Sequence, residues 1–368
     1  MKTALKCKVC ATEVAVKNII NGHVACPQCF NTYPLKERAS APLWVNVAVF
    51  IGVIVALVGV LKWAGIFDTD DERLRKQIGK MSFNQASQMK DICLKQHNKF
   101  CLKFVYKRLN ELDPTEATWK ANYAFQLTGS GQHKEALPLY ESLLSSGEET
   151  YDLMAYYGMS LEGVGQIEKA AEWYQSSLAV NPAVLDVTQK LASIMAKTQR
   201  TYEAAALVDS FIQTYPRSKG FLQANSVLLH KQLGEKDEVG SKEKLRLMAV
   251  RGAHHYLPLK VGQESVSFLV DTGATALAMS TEQMRRWAPE SMSAAQEIRV
   301  GLADGRTKKA FIAIIPEVKV GPWTVRDVET TYCDGCSLLA GRALLRHFVT
   351  KTIPNGNLET MEIAFARQ

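Results

Sequence analysis

The chain has 368 residues, 47% of them hydrophobic, and its 44 Lys and Arg exceed its 37 Asp and Glu to give a formal net charge of +7. That length exceeds one average domain and the composition changes along it, so the sequence reads as multidomain. The basic residues are scattered rather than gathered in blocks, which argues against a nucleic-acid partner.

The first predicted element, 1–38, holds Cys7, Cys10, Cys26 and Cys29. Two C-x2-C pairs with fifteen residues between them match the spacing of a small zinc ribbon, in which four thiolates close a tetrahedral site around one structural Zn. Two disulfides are the alternative, which a reducing cytoplasm disfavours. The next element, 39–67, carries no charge from Ala39 to Leu61 and has Trp44 and Trp63 near its ends. Its length and composition predict one transmembrane helix. Lys2, Lys6, Lys8, Lys17, Lys36 and Arg38 precede it, and Asp68, Asp70, Asp71 and Glu72 follow it. The positive-inside rule then expects a single-pass protein of a bacterial inner membrane, N-terminus cytoplasmic and the remainder periplasmic. A cleavable signal peptide fits poorly, because the apolar run starts late and is long.

Segment 68–115 is expected to be helical and membrane-proximal. Its Cys93 and Cys101 are candidate disulfide partners only if the chain turns around Gln96-His97-Asn98, since residues eight apart in one helix are separated by about 12 Å. Over 116–247 one spacing recurs. Gly131-Gln132 is answered by Gly165-Gln166; Ala136, Ala170 and Ala204 follow each other at the same interval, as do Pro182 and Pro216. A helix-turn-helix period of about 34 residues is the tetratricopeptide signature. The small Ala lets paired helices approach, Tyr140 and Tyr174 fill the space one turn later, and proline ends the unit. Such repeats stack into an α-helical solenoid with a concave surface suited to a protein partner.

From 248 to 368 the pattern turns to alternating apolar residues and glycine turns. Tyr256–Val261 and Ser265–Val270 read as a hairpin running into Asp271-Thr272-Gly273-Ala274-Thr275. A second hairpin surrounds Ala303-Asp304-Gly305, and Leu338-Leu339-Ala340-Gly341 leads into a short helix. His254 and His255 read as residues of the loop entering this region. No other Asp in the chain is followed by Thr-Gly or Ser-Gly.

These three pieces, over about 252–348, resemble the retropepsin-like, retroviral-type aspartic proteases, and in particular their bacterial membrane-anchored members. The resemblance implies an all-β protease domain in which Asp271 is the catalytic carboxylate, Thr272 bonds across a dimer axis and Gly273 admits the substrate backbone. Ala303, Asp304 and Gly305 would form the tip of the substrate-binding flap. Ala340 stands where the family usually has a large apolar residue. Aspartic proteolysis needs two carboxylates sharing a proton, so one loop per chain implies a homodimer pairing two Asp271, with a protein or peptide substrate and no metal in catalysis. Cys333 and Cys336 remain open between a structural disulfide, a redox pair and free thiols. The alternative function is a catalytically inactive peptide-binding scaffold with a cytoplasmic zinc ribbon.

Overall fold

The computed structural model describes residues 70–235, 244–301 and 307–366, together with five short strands between Leu5 and Pro34. The chain divides into two units, 1–73 and 74–368.

In the first unit β1 (Leu5–Lys6) pairs antiparallel with β2 (Glu13–Val14). Strands β3 (Ile19–Ile20), β4 (His23–Ala25) and β5 (Thr32–Pro34) form a second antiparallel sheet. Cys7, Cys10, Cys26 and Cys29 lie outside the described residues, and among those described no group of three or more His, Cys, Asp or Glu could hold a metal ion. Nor is any helix among them long and apolar enough to cross a membrane. The longest covers 17 residues, about 25 Å, and carries Lys219, His230 and Lys231 along its length. These findings correct the expected fold class, which included a zinc ribbon and a transmembrane helix, and with it the inner-membrane localisation with a periplasmic protease. The apolar run within 39–67 is itself outside the described residues.

Helix α1 (Asp70–Ile78) runs across the division, and the second unit continues as helix pairs: α2 (Phe83–Lys95) with α3 (Lys99–Leu112), α4 (Ala117–Gly129) with α5 (His133–Ser145), α6 (Tyr151–Gly163) with α7 (Ile167–Val180), and α8 (Leu185–Lys197) with α9 (Thr201–Thr214). A final helix, α10 (Lys219–Glu235), closes the array. Each first helix starts 34 residues after the last, and so does each second helix. The solenoid therefore begins its phase at Phe83 rather than at 116. The turn inside every pair has one residue in the left-handed region, at His97, Gly131, Gly165 and Gln199, again in the same phase. Two of the four are not glycine, which hides the first and last pairs from a glycine-based reading.

Packing follows the same period. Tyr106, Tyr140 and Tyr174 occupy one position of successive repeats and are buried, the last two completely. Tyr140 Oη lies 2.8 Å from Thr128 Oγ1, which is 2.8 Å from Ser160 Oγ, so the buried hydroxyls satisfy one another across repeats. Gly158 faces the Tyr174 ring, and a Cβ there would stand 2.9 Å from it.

Strands β6 (Leu245–Val250), β7 (Tyr256–Val261), β8 (Glu264–Val270), β9 (Leu277–Ser280), β10 (Gln296–Gly301), β11 (Thr307–Val320), β12 (Trp323–Cys333), β13 (Leu339–Ala340), β14 (Phe348–Asn355) and β15 (Leu358–Phe365) build the rest, with the short helices α11 (Thr281–Trp287) and α12 (Arg342–Leu345). The main sheet runs β10-β11-β12-β9-β13-β8-β7, and β7 returns to β11 through Val261↔Val318 and Lys260↔Lys319. That last pairing closes six strands into a barrel and leaves β10 as an extension of β11. Alternation decides its interior: Leu257, Leu259 and Val261 of β7, Phe268 of β8 and Leu277 and Met279 of β9 are fully buried. A separate sheet, β14-β15-β6, lies beside it.

One hydrophobic core runs without a break from Ala124 in the solenoid to Ile363 in the last strand. Helix α9 carries it across, for ten of its fourteen residues are buried. Ala204, Ala205 and Ala206 keep the helix slim enough to be packed on more than one side, by the solenoid and by the barrel strands.

Candidate active site

β8 delivers Asp271 to the mouth of the barrel. Val270 N–H donates to His255 O (2.9 Å) while Leu269 and Asp271 donate on the opposite side, to Leu338 O (3.0 Å) and Ala340 O (3.1 Å). β13 is thus inserted between β8 and β9, parallel to the one and antiparallel to the other. The strand that ends at Ala340 clamps the base of the loop that begins at Asp271.

The loop is closed on itself and on α12. Asp271 Oδ1 accepts the Gly273 N–H at 2.8 Å, and Asp271 O accepts the Ala274 N–H at 3.2 Å. Arg342 and Ala343 N–H donate to Ala274 O and Thr275 O, both at 2.9 Å. Gly341 has no room for a side chain, since a Cβ would fall 2.2 Å from Ala276 O and 2.7 Å from Ala274 O. The loop's inner end, Ala276 and Leu277, is buried; Asp271 is half-buried, and Thr272 and Gly273 are exposed. The carboxylate is therefore held by backbone geometry, with the outer edge of the loop presented to whatever meets it.

The hairpin of β10 and β11 pairs from Gln296↔Ile312 to Gly301↔Thr307. Its tip, with Ala303, Asp304 and Gly305, lies outside the described residues. The arms are fixed by the Lys309–Glu297 ion pair (2.8 Å), by Phe311 stacking on Tyr332, and by Lys308 Nζ, which donates to Asp334 O. That carbonyl belongs to the turn closed by the Cys333–Cys336 disulfide, with Gly335 at φ 67°. The other cysteine pair, Cys93 and Cys101, is also a disulfide, with Cα atoms 5.8 Å apart across the turn at His97 between α2 and α3.

His255 matters here although it read as a loop residue. It is buried, its carbonyl anchors Val270, its Nδ1 lies 3.8 Å from Glu359 Oε1, and burial pushes its pKa down against the raising influence of Glu359. The backbone donors of Arg342 and Ala343 were equally hidden, because a main-chain contact leaves no residue type to read; the glycine at 341 is the one trace of it.

Residues 257–345 match the family described as "gag-polyprotein putative aspartyl protease". None of the curated proteins compared with the chain matches it. Among solved structures, a retropepsin-like aspartic protease from Rickettsia conorii is similar at 21% identity, over 34% of this chain and 97% of that one, with a TM-score of 0.27. MamA (41-end) from Desulfovibrio magneticus RS-1 is similar at 17% identity, over 41% of this chain and 98% of that one, with a TM-score of 0.35. The loop of Asp271 and the inserted strand before Gly341 both lie within the matched residues 257–345, which supports a retropepsin-like aspartic protease domain in this part of the chain.

Proposed function

We propose that the chain is an aspartic endopeptidase that acts as a homodimer, in which two copies of Asp271 face each other about a twofold axis. What carries this reading is a loop that fixes one carboxylate by backbone bonds and leaves Thr272 and Gly273 exposed, in a chain with one such loop. Thr272 and Gly273 then meet their counterparts at the axis, and the hairpin tip at Ala303, Asp304 and Gly305 closes over the peptide.

In the reaction the ionised carboxylate takes a proton from a water held between the pair, and the hydroxide equivalent attacks the scissile carbonyl carbon. The protonated partner gives its proton to the carbonyl oxygen. The resulting diol collapses as the carboxyl proton passes to the amide nitrogen, a diol hydroxyl returns its proton to the ionised partner, and the C–N bond breaks. The solenoid's concave face recruits the protein substrate or a regulator. The two C-x2-C pairs Cys7/Cys10 and Cys26/Cys29 have the spacing that suits one structural Zn held by four thiolates. Native mass spectrometry checks that assignment: one zinc per chain is expected, lost in Cys26→Ser.

The test of the proteolytic reading is Asp271→Asn. Protein fragments that form with the native chain and not with this variant support it. Fragments that form equally with both favour the scaffold reading, in which the barrel binds peptides without cutting them.

A further inference from the structure

β8 is paired along its full length on one side only. Towards β7 its ladder is complete, from Val261↔Glu264 to Tyr256↔Leu269. On the other side β13 reaches Leu269 and Val270 and no further. In an antiparallel ladder the backbone groups of alternate residues point away from the partner strand. Leu269 and Asp271 do so, and their N–H groups find Leu338 O and Ala340 O. Ser265 and Ser267 share that parity, so their N–H and C=O groups point into the same lane ahead of β13, where no strand stands among the described residues. Pro258, opposite Ser267, fits a non-bonded position.

The lane opens into a cavity of about 960 Å³, bordered by Ser265, Val266, Ser267 and Leu338 on the barrel and by Gln223 and Val227 of α10. Its far wall is fixed. His230 Nε2 lies 2.7 Å from Asp209 Oδ2 and its Nδ1 3.1 Å from Ser265 Oγ, while Ser226 Oγ donates to Asp209 Oδ1 at 2.6 Å. This chain of bonds ties α9, α10 and β8 together along one wall of the cavity. Lysines 219, 231 and 260 balance Asp209, Glu235 and Glu264 around the cavity, so the lining selects no charge. An uncovered strand edge invites pairing with a further strand. Here the solenoid shields it from a whole sheet and leaves space for one extended chain.

We infer that this cleft is an exosite, which rests on the proteolytic reading: an extended, unfolded stretch of the substrate polypeptide, outside the segment being cut, adds as a strand to the edge of β8. Ser265 and Ser267 together offer it two donors and two acceptors. Recognition is through the main chain and tolerates sequence, and the lane ends at Leu338, where β13 takes over the edge of β8. The exosite favours long unfolded substrates over short peptides.

The experiment compares Ser267→Pro, which removes one outward N–H and no bond to β7, with Ser267→Ala, which keeps that N–H. The substrates are reduced, alkylated casein and an octapeptide spanning a bond that the native chain cuts in casein. The exosite predicts that Ser267→Pro raises KM for casein about tenfold, the loss of roughly one good hydrogen bond, with octapeptide kinetics unchanged and Ser267→Ala like the native chain. Equal effects of Ser267→Pro on both substrates, or no effect on either, overturn it. If the native chain cuts neither, the proteolytic reading fails on its own, and binding of labelled casein to Asp271→Asn with and without Ser267→Pro decides the cleft. Weakened binding in the double variant supports the site; equal binding overturns it.

Discussion

At Asp271 the chemistry and the backbone are separable. The carboxylate is oriented by the Gly273 N–H and the loop by Ala340, Arg342 and Ala343, so Asp271→Asn removes ionisation with little change of shape. Cleavage should fall by at least about a hundredfold, the scale of a lost general base, with an unchanged circular dichroism spectrum. His255 gives a pH prediction. Burial lowers its folded pKa below the unfolded value, so the unfolded chain takes the proton first and stability falls as pH drops below about 6.5. Because its carbonyl holds Val270, next to Asp271, acid weakens the strand that carries Asp271. The midpoint of urea unfolding, followed from pH 8 to pH 5, should fall in the native chain and stay flatter in His255→Gln. The Asp-Thr-Gly motif was legible because the turn demands those residue types, whereas His255 was not, since its role lies in a carbonyl and in burial.

At the scale of elements, two of the three glycines in one repeat do different work. Gly165 sits at φ 83° with open space around a would-be Cβ, so Gly165→Ala should cost about 1 kcal/mol through backbone conformation alone. Gly158 lies in a helix, and its replacement by Ala drives a methyl into the buried Tyr174 ring, an overpacking cost of about 1–3 kcal/mol. Thermal denaturation distinguishes them, because Tyr174→Leu should rescue Gly158→Ala and leave Gly165→Ala as it was. The repeat was legible where Gly, Ala and Tyr recur. It was not where His97 and Gln199 adopt the same left-handed turn, or where Leu102 stands in place of Ala, which is why the first pair read as a separate segment. Strands β6, β9 and β14 escaped for other reasons: β9 is four residues long, β14 is almost wholly exposed, and β6 and β9 pair with strands distant in sequence, β15 and β12.

For the whole molecule, the continuous core through α9 makes the solenoid and the barrel one cooperative body. Trp173 packs against Tyr157 in the solenoid, and Trp323 against Phe348 beside the barrel. Two variants, each retaining one of these tryptophans and replacing the others by Phe, should report the same denaturation midpoint; separated midpoints would show two independent bodies. No reading of the sequence reached this union, because alternation and period describe each part alone, and the buried faces of α9 are divided between them. The two parts are also joined by polar bonds, through Asp209, His230 and Ser265 and through Ser210, whose hydroxyl donates to His254 O. The central claim, that the active site is completed by a second copy of the chain, is tested most directly by mixing. At a fixed amount of native protein, increasing amounts of Asp271→Asn are allowed to exchange and casein cleavage is measured. Activity should decline with the fraction of native–native dimers, towards zero at large excess. Cleavage that stays constant across the titration would contradict the account.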